Sequence, residues 1–319
     1  MGHARLRGAL GSGGGGAAID GNRPSHSATS PARGGLDSAN NHSPHHHVSL
    51  TVPHFDYVAK LARDVAAIVL ERGKEYLVVL RLTPLSKAHG FPSLGDFIEH
   101  LRTRPLDLAH HQVVDALTTN ETMFFRDGAP FEALRQQLLP ALLTRAATTR
   151  RLRFWSAACS TGQEPYSLAM LLLEAAPQLR DWDVRILATD LCVNTLGLAA
   201  AGSFTPFEIA RGLPEPLRNK YFTRQSDQWT VKEELRRMIE FRRLNLAQPW
   251  PDLPTFDLIF IRNVMIYFDV ATKQSILRRA RERLQPHGHL FLGTAETTVN
   301  LDPTWRPVTL GGAVAYTPA

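Results

Sequence analysis

Hydrophobic side chains in residues 51–117 recur with the period of a helix. The first series has them three or four residues apart, at Phe55, Val58, Ala62, Val65 and Val69. This spacing places the apolar side chains on one face of an amphipathic helix. Gly73 follows the series and is predicted to end this helix, because glycine readily adopts the left-handed conformation found after a last helical turn.

Three more apolar segments continue the helical pattern. One covers residues 76–82 and is predicted to stop before Pro84, since proline interrupts a helix. Ser93 is a predicted N-cap for a helix over 94–101, and residues 106–117 form the last helix. Because no strand-type alternation interrupts these segments, the whole region is predicted to be a small all-helical N-terminal domain.

From about residue 150, strand-like segments alternate with helical ones. The strands are predicted at 151–157, 184–189, 239–245, 256–262 and 289–293, the helices at 166–174, 190–201 and 272–284, and a closing hairpin at 308–317. Repeated β-α-β units predict an α/β fold with a parallel, doubly wound sheet, which binds ligands at the carboxyl ends of its strands. We expect this second domain to span residues 118–319.

The alternation is interrupted at about residues 203–238. This segment contains helical fragments and a predicted hairpin within residues 222–231. We expect a small inserted subdomain here. Inserted segments often dock partners or gate substrates, and a packing cap over the sheet is an equally good interpretation.

Composition separates a leader from the two domains. Residues 1–50 hold 10 of the 22 glycines and 6 of the 13 histidines in the 319-residue chain. Such a segment buries too little surface to offset the entropy of ordering it, so we expect a disordered, low-complexity leader. A weak metal site at the histidines of residues 45–47 is the less favoured interpretation.

Charge narrows the class of partner only a little. The formal net charge is +6; the leader has four arginines against two aspartates, which leaves +4 for residues 51–319. Arginines outnumber lysines by 30 to 6. The arginines at 278–283, however, lie in a helical pattern, where they would form a solvated face. We therefore predict no nucleic-acid partner.

Cysteine use and hydropathy predict a protein of the cytoplasm. Cys159 and Cys192 cannot form a disulfide framework, and they lack the CxxC spacing of structural zinc sites. No metal site is predicted. No stretch approaches the roughly 18–20 consecutive apolar residues of a membrane-spanning helix, so membrane insertion is not expected.

Polar side chains stand at the ends of four successive predicted strands. Glu164 follows the first strand, Asp190 ends the second, and Asn245 and Asn263 end the third and fourth. No GxGxxG or GxxxxGKS/T motif supports a phosphate cradle. Asp190 suits ribose hydroxyls, and the asparagines suit an adenine edge or an amino-acid zwitterion. This is the profile of an S-adenosyl-L-methionine (SAM) site.

Each of these residues also has a structural interpretation. Glu164 would stabilise a helix N-terminus, and Asp190 would cap the next helix. An isolated asparagine at a strand end usually belongs to a turn. The four together favour ligand binding over four unrelated structural roles.

Longer motifs make the chain resemble one family. They are TTNETMFFRD (118–127), FWSAACSTGQEPYSLAM (154–170), ATDL (188–191), GLPEPLRNKYF (212–222), LNL (244–246) and FDLIFIRNVMIYFD (256–269). With these motifs in family order, almost all of residues 54–319 resembles the CheR family of chemotaxis-receptor protein-glutamate methyltransferases. The resemblance implies a class I SAM-dependent methyltransferase domain, Rossmann-like and doubly wound, with an inserted β-subdomain and an all-helical N-terminal domain.

The resemblance also implies roles for particular residues. Cofactor contacts carried over from the family fall on Asn120, Thr122, Arg126, Glu164, Asp190, Asn245, Leu246, Asn263 and Val264. Tyr267 resembles the family tyrosine near the transferred methyl group, and Arg126 and Tyr267 are the expected catalytic residues. The implied reaction transfers the methyl group of SAM to glutamate side chains of chemoreceptor cytoplasmic helices, leaves S-adenosyl-L-homocysteine (SAH) and uses no metal.

The partner implied by the resemblance is a methyl-accepting chemoreceptor, which would bring this protein to membrane receptor arrays. Basic side chains of the helical domain are candidates for docking on acidic helix faces. They are Arg63, Arg72, Lys74, Arg81 and Lys87. A solvated surface explains them nearly as well. In some family members the β-subdomain also grips a C-terminal receptor tether, but the short TRQSDQ connection before Trp229 makes tether binding doubtful.

Other functions fit the sequence less well. The fourth strand ends in RNVMIY, where amino-methylating DNA enzymes have an Asn/Asp-Pro-Pro-Tyr/Phe tetrapeptide. Cytosine C5 methylation needs a nucleophilic cysteine, generally after proline, and neither cysteine follows one. A catalytically silent module that only senses the cofactor is the remaining alternative, and the intact site residues speak against it.

Overall fold

The structure is a computed structural model that describes residues 50–319. Four helices form its first part. They are α1 (Val52–Ala66), α2 (Glu75–Ala88), α3 (Leu94–Arg102) and α4 (Leu108–Leu117). Their apolar faces meet in one core, in which Phe55, Val58, Val78, Leu82 and Phe97 are buried. This packing, more than helix propensity, stabilises such short helices. The predicted leader lies outside the described residues, apart from residue 50.

The first helix ends earlier than predicted. α1 stops at Ala66, and Ala67 takes the left-handed conformation with φ of 54°, so the prediction that Gly73 ends the helix is wrong. The apolar residues beyond Ala66 serve the contact with the second domain. Ile68 is buried, and the Val69 N–H donates to the Tyr267 carbonyl at 2.9 Å. The helical spacing of apolar residues therefore continues beyond the end of the helix.

The boundaries of the next helices follow capping and exposure. α2 runs through Pro84, so the predicted stop before this proline is wrong. Proline cannot donate to the carbonyl of Leu80, but Leu80 lies on the exposed side of α2, where water can replace that bond. The Ser93 N-cap is confirmed, since its Oγ accepts the Asp96 N–H at 3.1 Å. α4 begins two residues later than predicted because the Asp107 carboxylate caps it.

Strands and helices alternate through the rest of the described chain. The strands are β1 (Arg151–Ala157), β2 (Asp183–Asp190), β3 (Ser203–Phe204), β4 (Phe222–Gln225), β5 (Gln228–Val231), β6 (Ile239–Arg243), β7 (Phe256–Ile261), β8 (Leu284–Leu292), β9 (Trp305–Leu310) and β10 (Ala313–Pro318). The helices are α5 (Ala129–Ala133), α6 (Leu139–Arg145), α7 (Gln163–Ala175), α8 (Val193–Ala201), α9 (Pro206–Ala210), α10 (Glu215–Tyr221), α11 (Glu233–Arg236) and α12 (Val270–Glu282). A π-helical turn, Leu134–Leu138, joins α5 to α6.

Seven strands form one sheet in the order β6-β2-β1-β7-β8-β10-β9. The first five of these are parallel, and β10 and β9 close one edge as an antiparallel hairpin. The α/β fold with a doubly wound sheet is therefore confirmed. The strand order reverses between β1 and β7, and the carboxyl ends of strands at such a switch point are where open α/β sheets bind ligands.

The core lies on both faces of this sheet. Along β1, Phe154 is buried on one face, in the cluster that includes Leu168 of α7, and Trp155 is buried on the other, in the cluster that includes Ile276 of α12. This alternation follows from the two-residue period of a strand. Within residues 50–319, no helix combines the length and apolar character needed to cross a membrane.

The inserted subdomain is a three-stranded antiparallel sheet with short helices. β3, β5 and β4 pair in that order, which confirms the predicted hairpin and adds a two-residue strand too short to show a period. The subdomain packs on the second domain through Phe204 and Phe222, whose ring centroids lie 5.1 and 5.7 Å from that of Phe124. The Phe124 N–H donates to the Arg211 carbonyl at 3.3 Å, and a side chain at Gly212 would overlap the Phe124 carbonyl oxygen.

Candidate active site

One cavity lies where the parallel strands end. The space between its lining atoms measures about 920 Å³ and includes open solvent at its mouth. The ends of β1, β2, β6 and β7 line it, together with the α1–α2 connection and the segment after α4. All ten predicted site residues lie in its wall: Asn120, Thr122, Arg126, Glu164, Asp190, Asn245, Leu246, Asn263, Val264 and Tyr267.

Glu164, in the first turn of α7, is fixed by a buried ion pair. Its Oε2 accepts from Arg262 Nη1 at 2.8 Å, and its Oε1 accepts from the Ser156 hydroxyl at 2.7 Å. The Arg262 side chain is only 1% exposed, and it also donates to Asp127 Oδ2 at 2.6 Å and to the Arg126 carbonyl at 2.9 Å. One arginine, which the sequence analysis did not identify, therefore holds both Glu164 and the turn that carries Arg126.

Asp190 ends β2 and anchors two neighbouring loops. Its Oδ2 accepts the Ser160 N–H at 2.8 Å, and its Oδ1 accepts the Cys192 N–H at 3.0 Å. Burial raises the pKa of this carboxyl above its usual value, although the two N–H groups act in the opposite direction. The interpretation of Asp190 as a helix cap is wrong, because α8 begins after Cys192 without a side-chain cap. Each carboxylate oxygen keeps a second acceptor position for a ligand.

Asn245 ties the helical domain to the cavity. β6 ends two residues before it, and its Nδ2 donates to the Val65 carbonyl at 2.8 Å while its Oδ1 accepts the Ala247 N–H at 2.9 Å. The turn interpretation of this asparagine therefore holds alongside its place in the wall. Together with the Val69–Tyr267 bond, this contact brings the end of α1 over the cavity, where Ala66 and Ile68 line it.

Asn263 lies in a loop that a distant carboxylate holds. The residue has φ of +59°, a left-handed backbone conformation that is uncommon for residues other than glycine. Its N–H donates to Glu296 Oε2 at 2.8 Å, and the Met265 and Ile266 N–H groups donate to Glu296 Oε1 at 2.6 and 3.3 Å. Glu296 follows β8, the next strand of the sheet. The sequence signal for Glu296 is its place shortly after the fifth predicted strand, 289–293.

The segment before α5 forms another wall of the cavity. The Asn120 side chain donates to Thr195 Oγ1 at 3.1 Å, and the Asn120 carbonyl accepts from the Ser160 hydroxyl at 2.7 Å. Arg126 is half-buried, and its Nη1 donates to the Glu121 carbonyl at 2.8 Å. Neighbouring loops thus fix the backbone of this segment, and the remaining guanidinium donors of Arg126 can bind a carboxylate.

The chemistry of the wall fits SAM. Ile68, Leu244 and Phe268 provide apolar surface, and the Glu164 and Asp190 carboxylates suit a cationic ligand that also carries hydroxyl groups. Arg262 Nε is buried and has no hydrogen-bond partner among the described residues. Within residues 50–319, no cluster of three or more His, Cys, Asp or Glu side chains has the arrangement of a metal site.

The basic side chains expected to dock a partner are largely engaged within the helical domain. Arg72 and Lys74 form exposed ion pairs with acidic neighbours. Arg81 donates to the carbonyls of Leu117 and Thr118 at 2.7 and 2.8 Å, and so holds the start of the segment that lines the cavity. Arg81 therefore has a structural role that the sequence did not indicate, and docking by the others stays a prediction.

Comparisons with known proteins decide the family. Residues 53–118 match the model of the CheR methyltransferase all-alpha domain, and residues 120–310 match that of the CheR methyltransferase SAM binding domain. This chain belongs to the CheR methyltransferase family. It is 41% identical to chemotaxis protein methyltransferase 1 of Pseudomonas aeruginosa and 38% identical to chemotaxis protein methyltransferase Cher2 of Pseudomonas putida. Each of these alignments covers 82% of this chain and 96% of the relative.

Family membership establishes the coarse chemistry of this CheR protein. It is a methyltransferase of a chemotaxis family, and the prediction that it uses SAM is confirmed. The SAM-binding match begins at Asn120, the first predicted cofactor residue in the chain, and the all-alpha match covers α1–α4. Among solved structures, the SAM complex of the glycopeptide N-methyltransferase MtfA aligns with a TM-score of 0.31 and 16% identity, over 57% of this chain and 58% of that one.

Proposed function

We propose that this CheR-family protein transfers the methyl group of SAM to glutamate side chains on the cytoplasmic helices of chemoreceptors, forming methyl esters. The composition of the cavity wall carries the proposal: in the described residues, this wall includes no histidine, lysine or cysteine. Of the three carboxylates in the wall, Glu164 and Asp190 are bound to protein donors and are not poised as general bases, and Glu121 is exposed. A glutamate acceptor needs no base, because its usual pKa of about 4.3 leaves it ionised at neutral pH.

The predicted wall residues would bind different parts of the cofactor. Asp190 would accept hydrogen bonds from ribose hydroxyls, and Glu164 would favour the positive charge of the sulfonium and ammonium groups. Leu246 and Val264 add apolar contact. Asn245 contributes mainly by holding its loop, since its side chain already bonds to the Val65 carbonyl. SAM, when bound, supplies an electrophilic methyl group.

Arg126 and Tyr267 are the proposed catalytic residues. Arg126 would hold a carboxylate, of the cofactor or of the acceptor, through the guanidinium donors that the Glu121 carbonyl does not use. Tyr267 would hydrogen-bond at the reacting centre, from a turn whose backbone bonds to Val69 and Val264. Holding a carboxylate oxygen in line with the methyl group can contribute up to about 7–11 kcal/mol in favourable model reactions.

The proposed partner places this protein in the cytoplasm, beside receptor arrays in the membrane. Four of the predicted docking cations remain candidates, because only Arg81 is bound to backbone carbonyls; they are Arg63, Arg72, Lys74 and Lys87. Binding of a C-terminal receptor tether is not proposed. β4 and β5 are joined by only two residues, Ser226 and Asp227, and a pull-down with a receptor tail peptide tests this negative prediction.

Transfer of radiolabelled methyl groups to receptor cytoplasmic fragments tests the proposal. We expect base-labile label on the wild-type fragment and none on a fragment whose acceptor glutamates are changed to glutamine. Arg126→Ala should lower kcat/KM at least about 100-fold with an unchanged free energy of unfolding. Arg281→Ala, at an exposed position of α12, is the matched control.

Two outcomes would contradict the proposal. Near-normal transfer by Arg126→Ala would remove the catalytic assignment of that residue. Calorimetric binding of SAH without turnover on every receptor fragment would instead indicate a module that senses the cofactor and does not methylate.

A further inference from the structure

We propose that Glu296 is a positioning residue for methyl transfer. Its carboxylate binds the backbone of the loop that carries Asn263 and Tyr267, and so fixes one wall of the cofactor cavity. The proposal concerns the SAM site of this methyltransferase family and does not depend on the identity of the methyl acceptor.

The Glu296 carboxylate accepts four backbone hydrogen bonds. Oε2 accepts from the N–H groups of Asn263 at 2.8 Å and Gly293 at 2.6 Å, and Oε1 accepts from those of Met265 at 2.6 Å and Ile266 at 3.3 Å. Consecutive N–H groups that point into one concavity form an anion-binding nest. Here the anion is a side chain of the same protein, brought from the end of the neighbouring strand β8.

This nest determines the conformation of the loop after β7. Asn263 has φ of +59°, a left-handed conformation that asparagine adopts more readily than most residues with a side chain, and in this conformation its N–H donates to Glu296 Oε2. Tyr267 follows the nest within two residues, and its N–H donates to the Val264 carbonyl at 3.2 Å. The position of the tyrosine in the cavity therefore depends on the carboxylate.

Close packing around the Glu296 carboxylate leaves no room for a side chain at position 293. A Cβ atom on Gly293 would lie 2.7 Å from Glu296 Oε2 and 2.7 Å from Asn263 Nδ2. The Glu296 N–H also donates to the Gly293 carbonyl at 2.9 Å, which closes the turn on itself. Gly293, Glu296 and the Asn263 loop thus form one unit, with the charge of Glu296 at its centre.

Glu296→Gln tests the proposal because it keeps the shape of the side chain and removes its charge. One carboxylate oxygen becomes an NH₂ group that cannot accept the loop N–H groups. We expect kcat for methyl transfer to fall about 10- to 100-fold, with a much smaller change in the dissociation constant of SAH, since Glu164 and Asp190 are untouched. Amide hydrogen exchange should speed up in residues 263–268 and at Gly293, and nowhere else.

Two further variants keep the test decisive. Gly293→Ala crowds the same carboxylate oxygen and the Asn263 side chain, and should reproduce both the kinetic and the exchange signature. Glu282→Gln, the same chemical change at an exposed position of α12, should leave both unchanged. Unaltered kcat and unaltered exchange in Glu296→Gln would overturn the proposal, as would normal kcat per folded molecule in a destabilised variant. Absence of transfer by the wild-type protein would bear only on the proposed acceptor, because amide exchange in residues 263–268 and at Gly293 still reports on Glu296.

Discussion

The two halves of the cavity are held in place by different means. After β1 and β2, the wall residues are carboxylates, and their partners lie within the sheet domain: Arg262 and Ser156 hold Glu164, and the Ser160 and Cys192 N–H groups hold Asp190. After β6 and β7, the wall residues are asparagines, and their loops are fixed by groups that lie beyond the four strands ending at the cavity. The Val65 carbonyl of the helical domain binds Asn245, and Glu296 beyond β8 binds the Asn263 backbone.

The two halves of the cavity therefore differ in the charge that they present to a ligand. In the carboxylate half one guanidinium, that of Arg262, faces the two carboxylates of Asp127 and Glu164, so a net negative charge is left for a cationic ligand. The amide half carries no charge of its own that needs compensation, so its geometry can depend on the helical domain and on the neighbouring strand β8. A change in either outlying region should therefore alter the amide half first.

The largest effect should come from breaking the carboxylate half at Arg262. Arg262→Met leaves the Glu164 and Asp127 carboxylates without their buried cation, and removing one partner of a buried pair typically costs about 3–5 kcal/mol. We expect a loss of that size in the free energy of unfolding from urea denaturation, together with weaker binding of SAH. Arg281→Met on the surface of α12 is the control. A loss below about 1 kcal/mol would show that the network behaves like a surface pair.

A smaller effect is expected from Asp190→Asn. The variant loses the charged acceptor proposed for the ribose, so SAH affinity should fall about 10- to 100-fold, as for hydrogen bonds to charged groups. Exposed Asp227→Asn should not change it.

Asp190→Asn should also change the pH dependence of stability. Because burial raises the pKa of Asp190 in the folded protein, its contribution to stability is fully present below its usual pKa of about 3.8 and is lost as pH rises through the folded value. The wild-type protein should therefore lose stability relative to the variant as pH increases across that window. Parallel stability curves for the two proteins would contradict this assignment.

The smallest effect should come from the amide half. Asn245→Ala removes two neutral hydrogen bonds, one of them to the Val65 carbonyl, each worth about 0.5–1.5 kcal/mol. We expect a modest loss of SAH affinity, about 3- to 10-fold, and faster amide exchange in residues 65–69. Exposed Asn219→Ala should do neither. An exchange pattern unchanged at residues 65–69 would mean that Asn245 does not join the helical domain to the site.

The sequence predicted the residues of the wall better than the contacts that hold them. Glu164, Asp190, Asn245 and Asn263 could be found because each stands at the end of an apolar strand, which is a local pattern. Arg262 and Glu296 act on residues about 100 and 30 positions away, and no local period encodes such pairs.

Both residues nevertheless left a signal in the sequence, since each follows or ends an apolar strand, Glu296 after residues 289–293. Arg262 ends the apolar run FDLIFIR, and a buried arginine requires a carboxylate partner.

Helix ends were harder to predict, because Val69 continues the period of α1 while serving the contact with Tyr267, and because solvent at Leu80 lets α2 continue through Pro84.

The contact between Gly212 and Phe124 has a consequence for exchanging parts between relatives. The Phe124 N–H bonds to Arg211, and the bare Cα of Gly212 faces the Phe124 carbonyl, two residues before Arg126. The inserted subdomain is therefore not a cassette that can be transplanted alone. A chimera that receives a foreign subdomain needs the matching segment around Phe124 with it, or the graft will displace Arg126.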